Sequence, residues 1–200
     1  MEIKNKRAKR MPRMQEQKME QTQIIFQKYN YLQTPKDVLE YADKYNGICG
    51  EASIASLLDI TVKDVFDKGD INRDTFRGFT LQKEMRKILS KLGCASIQKR
   101  VSDKHKIPYC DFGIIRVSFG EPEQHWAKTA SLSHYIAIKR FKQGRYIYDT
   151  AIDVFDGNPV NGVWIEESEY YKIMDDQKMF ITSYLELTKM TGKTFFLRRI

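Results

Sequence analysis

The chain has 200 residues, a length that fits one domain with a tail, and its 42% hydrophobic and 12% aromatic content is that of a globular protein. Charged residues reach 30% and no apolar run approaches the ~18 residues of a membrane span, so a spanning protein is excluded. The net charge is +8, and half of it sits in residues 1–23, where Lys4, Lys6, Arg7, Lys9, Arg10, Arg13 and Lys18 face Glu2, Glu16 and Glu20. That segment reads as a flexible basic arm, suited to nucleic acid or an anionic surface through phosphate contacts. The opening MEIKNKRAKRMPRM leads into no apolar stretch, so no secretory signal is expected. Three cysteines without a Cys-x-x-Cys pair suggest neither a disulfide framework nor a zinc site. A reducing, cytoplasmic setting is expected, with a host-cell or virion location left open.

After the arm, residues 24–200 read as one domain. The stretch QTQIIFQKYNYL (21–32) is expected to pack as a short helix or an extended lead-in. Thr34-Pro35 predicts an N-cap and first helical position, with Val38, Leu39, Ala42 and Tyr45 at helical spacing and Asn46-Gly47 as the stop. A second helix starts near Cys49 and passes through Ala52, Ala55 and Leu58. Thr61 and Asp64 form a capping-box pattern for a third, ending near Gly69. Over 80–92, Leu81, Met85, Ile88, Leu89 and Leu92 share one face between a Thr80 cap and a Gly93 stop.

The period then changes. DFGIIRVSF (111–119), HYIAIKRF (134–141) and RYIYDT (145–150) are β-branched and aromatic runs, the last two joined as a hairpin through Lys142-Gln143-Gly144. One more helix is predicted over Glu166–Asp175, and MFITSYLELTK and KTFFLRRI read as two closing strands around a turn at 190–192. Helices first and antiparallel strands afterwards make an α+β domain.

Cys49 lies where a turn passes directly into a helix, and the unpaired N–H groups and dipole of a helix start favour thiolate over thiol. Gly50 beside it leaves room for a substrate backbone. Cys94 and Cys110 lack this setting and read as packing residues. A thiolate needs a base, and the histidines are His105, in a charged loop, His125, in the loop with Trp126, and His134, at the mouth of a strand. His134 is the preferred base and His125 the runner-up. Asp149 ends the paired strand and should stand across from His134 to accept a ring N–H, with Asp153 as the alternative acceptor.

Cys49-Gly50-x-Ala52, Ser133-His134-Tyr135-Ile136-Ala137-Ile138 and Tyr146-Ile147-Tyr148-Asp149-Thr150 together resemble the papain-like cysteine peptidases, with the same chain order of Cys, His and Asp or Asn. The branch most similar is that of the double-glycine leader peptidases attached to bacteriocin exporters and their stand-alone relatives. Trp164-Ile165, before an acidic helix start, resembles the segment that follows the Asp there. The likeness spans roughly residues 35–175. It implies a papain-like fold, with a helical lobe carrying Cys49 and an antiparallel sheet carrying His134 and Asp149. The implied chemistry is attack of Cys49 on an amide or thioester carbonyl, proton transfer by His134, orientation by Asp149, and an oxyanion hole that includes the Cys49 backbone N–H.

The family's side-chain oxyanion donor, a Gln about six residues before the nucleophile, is replaced here by Asp43, which when ionised only accepts. Asn46 and Gln124 are the candidate substitutes. The leading reading is therefore a cysteine hydrolase acting on a peptide or isopeptide bond of a peptide or protein substrate. Two alternatives are an acyltransferase with the same triad, transglutaminase-like or arylamine acetyltransferase-like, and a non-catalytic basic-armed nucleic-acid-binding or virion-associated protein. No phosphate-binding glycine loop or paired metal-ligand motif supports a nucleotide or metal cofactor.

Overall fold

The computed structural model describes residues 32–45, 47–76, 78, 80–120, 133–152, 154–155 and 158–190. The basic arm, the expected lead-in up to residue 31 and the KTFFLRRI strand lie outside the described residues. Four helices come first: α1 (Val38–Tyr45), α2 (Cys49–Leu58), α3 (Val62–Gly69) and α4 (Gln82–Lys91). Strands β1 (Cys94–Arg100), β2 (Phe112–Phe119), β3 (Ser133–Phe141) and β4 (Gly144–Asp149) follow, then a two-stranded ribbon of β5 (Val154–Phe155) and β6 (Asn158–Pro159). The described chain closes with β7 (Val163–Glu166), α5 (Glu167–Asp176) and β8 (Met179–Met190). The main sheet has six strands in the order β1-β8-β2-β3-β4-β7, every neighbouring pair antiparallel. The domain is thus α+β, and no helix among the described residues is long and apolar enough to cross a membrane.

Both faces of the sheet are covered, which is why its strands read as nearly continuous apolar runs. On one face Ile114, Tyr135, Ala137, Tyr146, Tyr148 and Leu185 pack with residues of α1–α4. On the other Ile115, Ile136, Ile138, Ile147 and Ile165 pack with Tyr170 and Met174 of α5. Along HYIAIKRF the side chains therefore alternate, Tyr135 and Ala137 towards α1–α4 and Ile136 and Ile138 towards α5. Helix α2 is the buried one: eight consecutive residues from Gly50 to Leu57 are out of solvent, and the Ser53 hydroxyl donates to the Tyr135 carbonyl at 3.1 Å. That bond ties the helix opened by Cys49 to the strand that carries His134.

Several boundaries differ from expectation, each for a local reason. Helix α1 begins at Val38 rather than at Pro35, and the Asp37 carboxylate instead accepts the Val62 and Lys63 N–H groups, both at 2.8 Å, at the start of α3. The capping box of Thr61 and Asp64 forms as predicted. Thr80 does not cap α4; Leu81 holds that position, its N–H bonded to the Glu84 carboxylate at 2.8 Å, and its side chain is exposed rather than part of the core face. Strand β1 gave no sequence signal because it is an edge strand with mostly exposed residues. Strand β7, only four residues long, was hidden in the segment between Asp149 and the last helix.

Candidate active site

Three of the expected residues meet at one place. Cys49 is the first residue of α2, His134 the second of β3, and Asp149 the last of β4. The β3–β4 ladder pairs Ala137 with Tyr148, so continuing the register sets Asp149 opposite Ile136 and diagonal to His134. A diagonal pair on one sheet face is within reach of an imidazole and a carboxylate, and His134 Nε2 meets Asp149 Oδ1 at 2.7 Å. Cys49 lies near enough to the same ring to help raise its basicity. With Nε2 taken by Asp149, Nδ1 is the ring nitrogen left for another partner. Phe119 flanks the imidazole, its ring centroid 6.5 Å away.

The Asp149 carboxylate is buried and held by three donors. Besides His134, the Ala151 N–H reaches Oδ1 at 2.7 Å and the Tyr170 hydroxyl reaches Oδ2 at 2.6 Å. Burial alone would push this carboxyl up, but the adjacent His134 charge and the three hydrogen bonds outweigh it and hold the group below the ordinary aspartate range. For His134 burial works against the charged form, and the Asp149 charge and hydrogen bond, helped by Cys49, reverse that and raise the imidazole to about 10. The ring therefore carries its proton at neutral pH, between a carboxylate on one side and a sulfur on the other.

Cys49 is partly exposed, whereas Cys94 and Cys110 are buried, and burial raises both of those thiols, Cys110 to about 12. This matches their reading as packing residues. His105 is exposed, and its backbone N–H donates to the Asp103 carboxylate at 2.9 Å. His125, Asp153, Asn46 and Gln124 lie outside the described residues. In the direction a Cβ would take, Gly50 faces Met85 and Thr80, and its backbone lines the cavity beside the sulfur. Gly47 is the glycine that the geometry requires: its φ is +127°, and a Cβ there would overlap the Gly78 carbonyl oxygen.

A cavity of about 60 Å³ opens next to the sulfur, lined by Cys49, Glu51, Thr80, Gln82, Arg116 and Tyr135, among others. Glu51 is fully buried, and desolvation pushes its carboxyl up to about 7 against the hydrogen bond from the Thr80 hydroxyl. Sequence reasoning missed Tyr170, Glu51, Gln82 and Arg116. Tyr170 stands one turn before Met174 and reads as core, while Glu51 sits in a helix where every other position is apolar or small, a mismatch that is itself a signal. No group of His, Cys, Asp and Glu able to hold a metal ion occurs among the described residues. Scanned against protein-family models the chain matches none, and no curated protein is similar to it.

Proposed function

We propose that this chain is a cysteine-dependent hydrolase that cleaves a peptide or isopeptide bond on a papain-like α+β scaffold. Cys49 is the nucleophile, His134 the proton carrier and Asp149 the group that orients the ring. The observation that carries this reading is one buried imidazole held by Asp149 at 2.7 Å, with the Cys49 that opens α2 near enough to help raise its basicity. Two further features support it: the burial of the two other cysteines, and the Asp149 carboxylate that fixes the orientation of the ring.

In the reaction the Cys49 proton already rests on His134 Nδ1, in keeping with the raised basicity of that ring, and the thiolate sulfur attacks the carbonyl carbon. A C–S bond forms as the carbonyl electrons move to oxygen, where the Cys49 backbone N–H, left without an intrahelical acceptor at the helix start, donates to it. The intermediate collapses, the C–N bond breaks, and His134 returns the proton to the departing amine. Water then gives a proton to Nδ1 and attacks the thioester, and breaking of the C–S bond releases the acid. Asp149 remains ionised throughout and keeps Nε2–H pointed at itself.

Iodoacetamide tests the reading directly. At pH 7.5, mass spectrometry should find Cys49 alkylated at least ~10-fold faster than Cys94 and Cys110, because only an accessible, base-paired thiol reacts quickly. Asp149→Asn and His134→Ala, checked for folding by circular dichroism, should each lower that rate. Equal and slow alkylation of all three cysteines would overturn the proposal.

A further inference from the structure

Three buried polar atoms around the cavity beside Cys49 have no hydrogen-bond partner among the described residues: Glu51 Oε2, Gln82 Nε2 and Arg116 Nε. They belong to residues of α2, α4 and β2 that line the same space of about 60 Å³. Each head group is nevertheless oriented, because its other end is tied to the protein. Glu51 Oε1 accepts from the Thr80 hydroxyl, Gln82 Oε1 accepts from the Ser183 hydroxyl at 3.0 Å, and Arg116 Nη2 donates to the Ser133 oxygen at 3.2 Å. Buried polar groups in folded proteins are nearly always paired, so three orphans facing one cavity mark a place that something polar fills.

The chemistry of the three atoms selects what fits. Gln82 and Arg116 offer two N–H donors, and Glu51 offers a carboxyl oxygen. A carboxylate ligand would satisfy the donors and bring a second acid against Glu51, whereas an ammonium group would suit Glu51 and oppose the Arg116 charge. A hydrocarbon would leave all three unpaired. A carboxamide presents one oxygen for two donors and an N–H for the carboxyl, with no net charge, and its head group is close in size to the ~30 Å³ share of a water molecule or two. We propose that this cavity is a specificity pocket that takes the carboxamide side chain of a substrate Gln or Asn, held next to the carbonyl that Cys49 attacks. This rests on Cys49 being the nucleophile.

The test uses four alkylating reagents that differ in one side chain: bromoacetyl-glutaminamide, bromoacetyl-glutamic acid amide, bromoacetyl-lysinamide and bromoacetyl-leucinamide. Rates at Cys49 of the full chain are read by mass spectrometry, each divided by the rate with glutathione to remove intrinsic reactivity. The glutamine reagent should react roughly 10-fold faster than each of the others, the discrimination expected from one or two good hydrogen bonds. Gln82→Leu and Arg116→Met should each bring the glutamine-to-leucine ratio towards one, and Gln82→Glu, which turns a donor into an acceptor, should shift the preference towards the lysine reagent. A wild-type ratio near one, while iodoacetamide still singles out Cys49, would overturn the pocket and leave the nucleophile reading standing, with water alone as the filling. Uniform slow alkylation by iodoacetamide would instead remove the basis of both.

Discussion

Replacing Tyr170 by Phe deletes one hydroxyl, and the structure sets what that hydroxyl is worth. Its oxygen donates at 2.6 Å to Oδ2 of an ionised carboxylate that is 1% exposed, from a side chain that is itself 0% exposed. No solvent replaces the lost donor, and a hydrogen bond to a charged group contributes ~1.5–3 kcal/mol. About 2 kcal/mol of stability should therefore go, which in a domain of this size lowers the melting temperature by roughly 4–8 °C. The loss also depends on pH in a definite direction. Asp149 is held below its unfolded value, so its contribution is fully present above about pH 3.8 and fades as the pH falls through the folded value. Tyr170 supplies part of that depression. Hence the gap between wild type and Tyr170→Phe should be full at pH 7.5 and shrink on acidification below pH 3.8. Urea unfolding followed by circular dichroism measures it. An unchanged midpoint at pH 7.5, or a gap that stays constant into acid, would refute the reasoning.

Glu51 gives the opposite pH dependence. Its folded value is raised from 4.5 to about 7, so the unfolded chain loses its proton first and stability falls as the pH rises across that window, by ~3 kcal/mol. Glu51→Gln should flatten this slope, and parallel stability curves for the two proteins between pH 4 and 8 would count against it. The two glycines beside Cys49 should part company. Gly47→Ala forces a side chain onto φ +127° and into the Gly78 carbonyl, and should lower stability by more than ~1–3 kcal/mol. Gly50→Ala sets a Cβ in ordinary contact with Met85 at 3.4 Å inside a helix and should be neutral or mildly stabilising; thermal melts that rank the pair the other way would reject this.

The amino-acid sequence by itself determined the elements whose residues are neighbours along the chain. The capping box at Thr61–Asp64, the helix opened by Cys49, the β3–β4 hairpin and the two-faced alternation of HYIAIKRF were all readable, because periods of 3.6 and 2 and the chemistry of caps are local. So was the meeting of His134 with Asp149, since a tight hairpin leaves little freedom in where its two ends lie. Edge strand β1 escaped because exposure removes the apolar pattern that would announce it.

Tertiary structure alone decided what surrounds those residues. Tyr170 reaches Asp149 across 21 positions, and the Thr80 hydroxyl reaches Glu51 across 29. Arg116 and Gln82 join the Cys49 cavity from a strand and a helix that no short-range pattern connects. Burial pushes both Glu51 and Asp149 up, and only for Asp149 do the His134 charge and the hydrogen bonds gathered by the fold reverse it; both the burial and the partners come from everything packed around a carboxyl rather than from its neighbours in the chain.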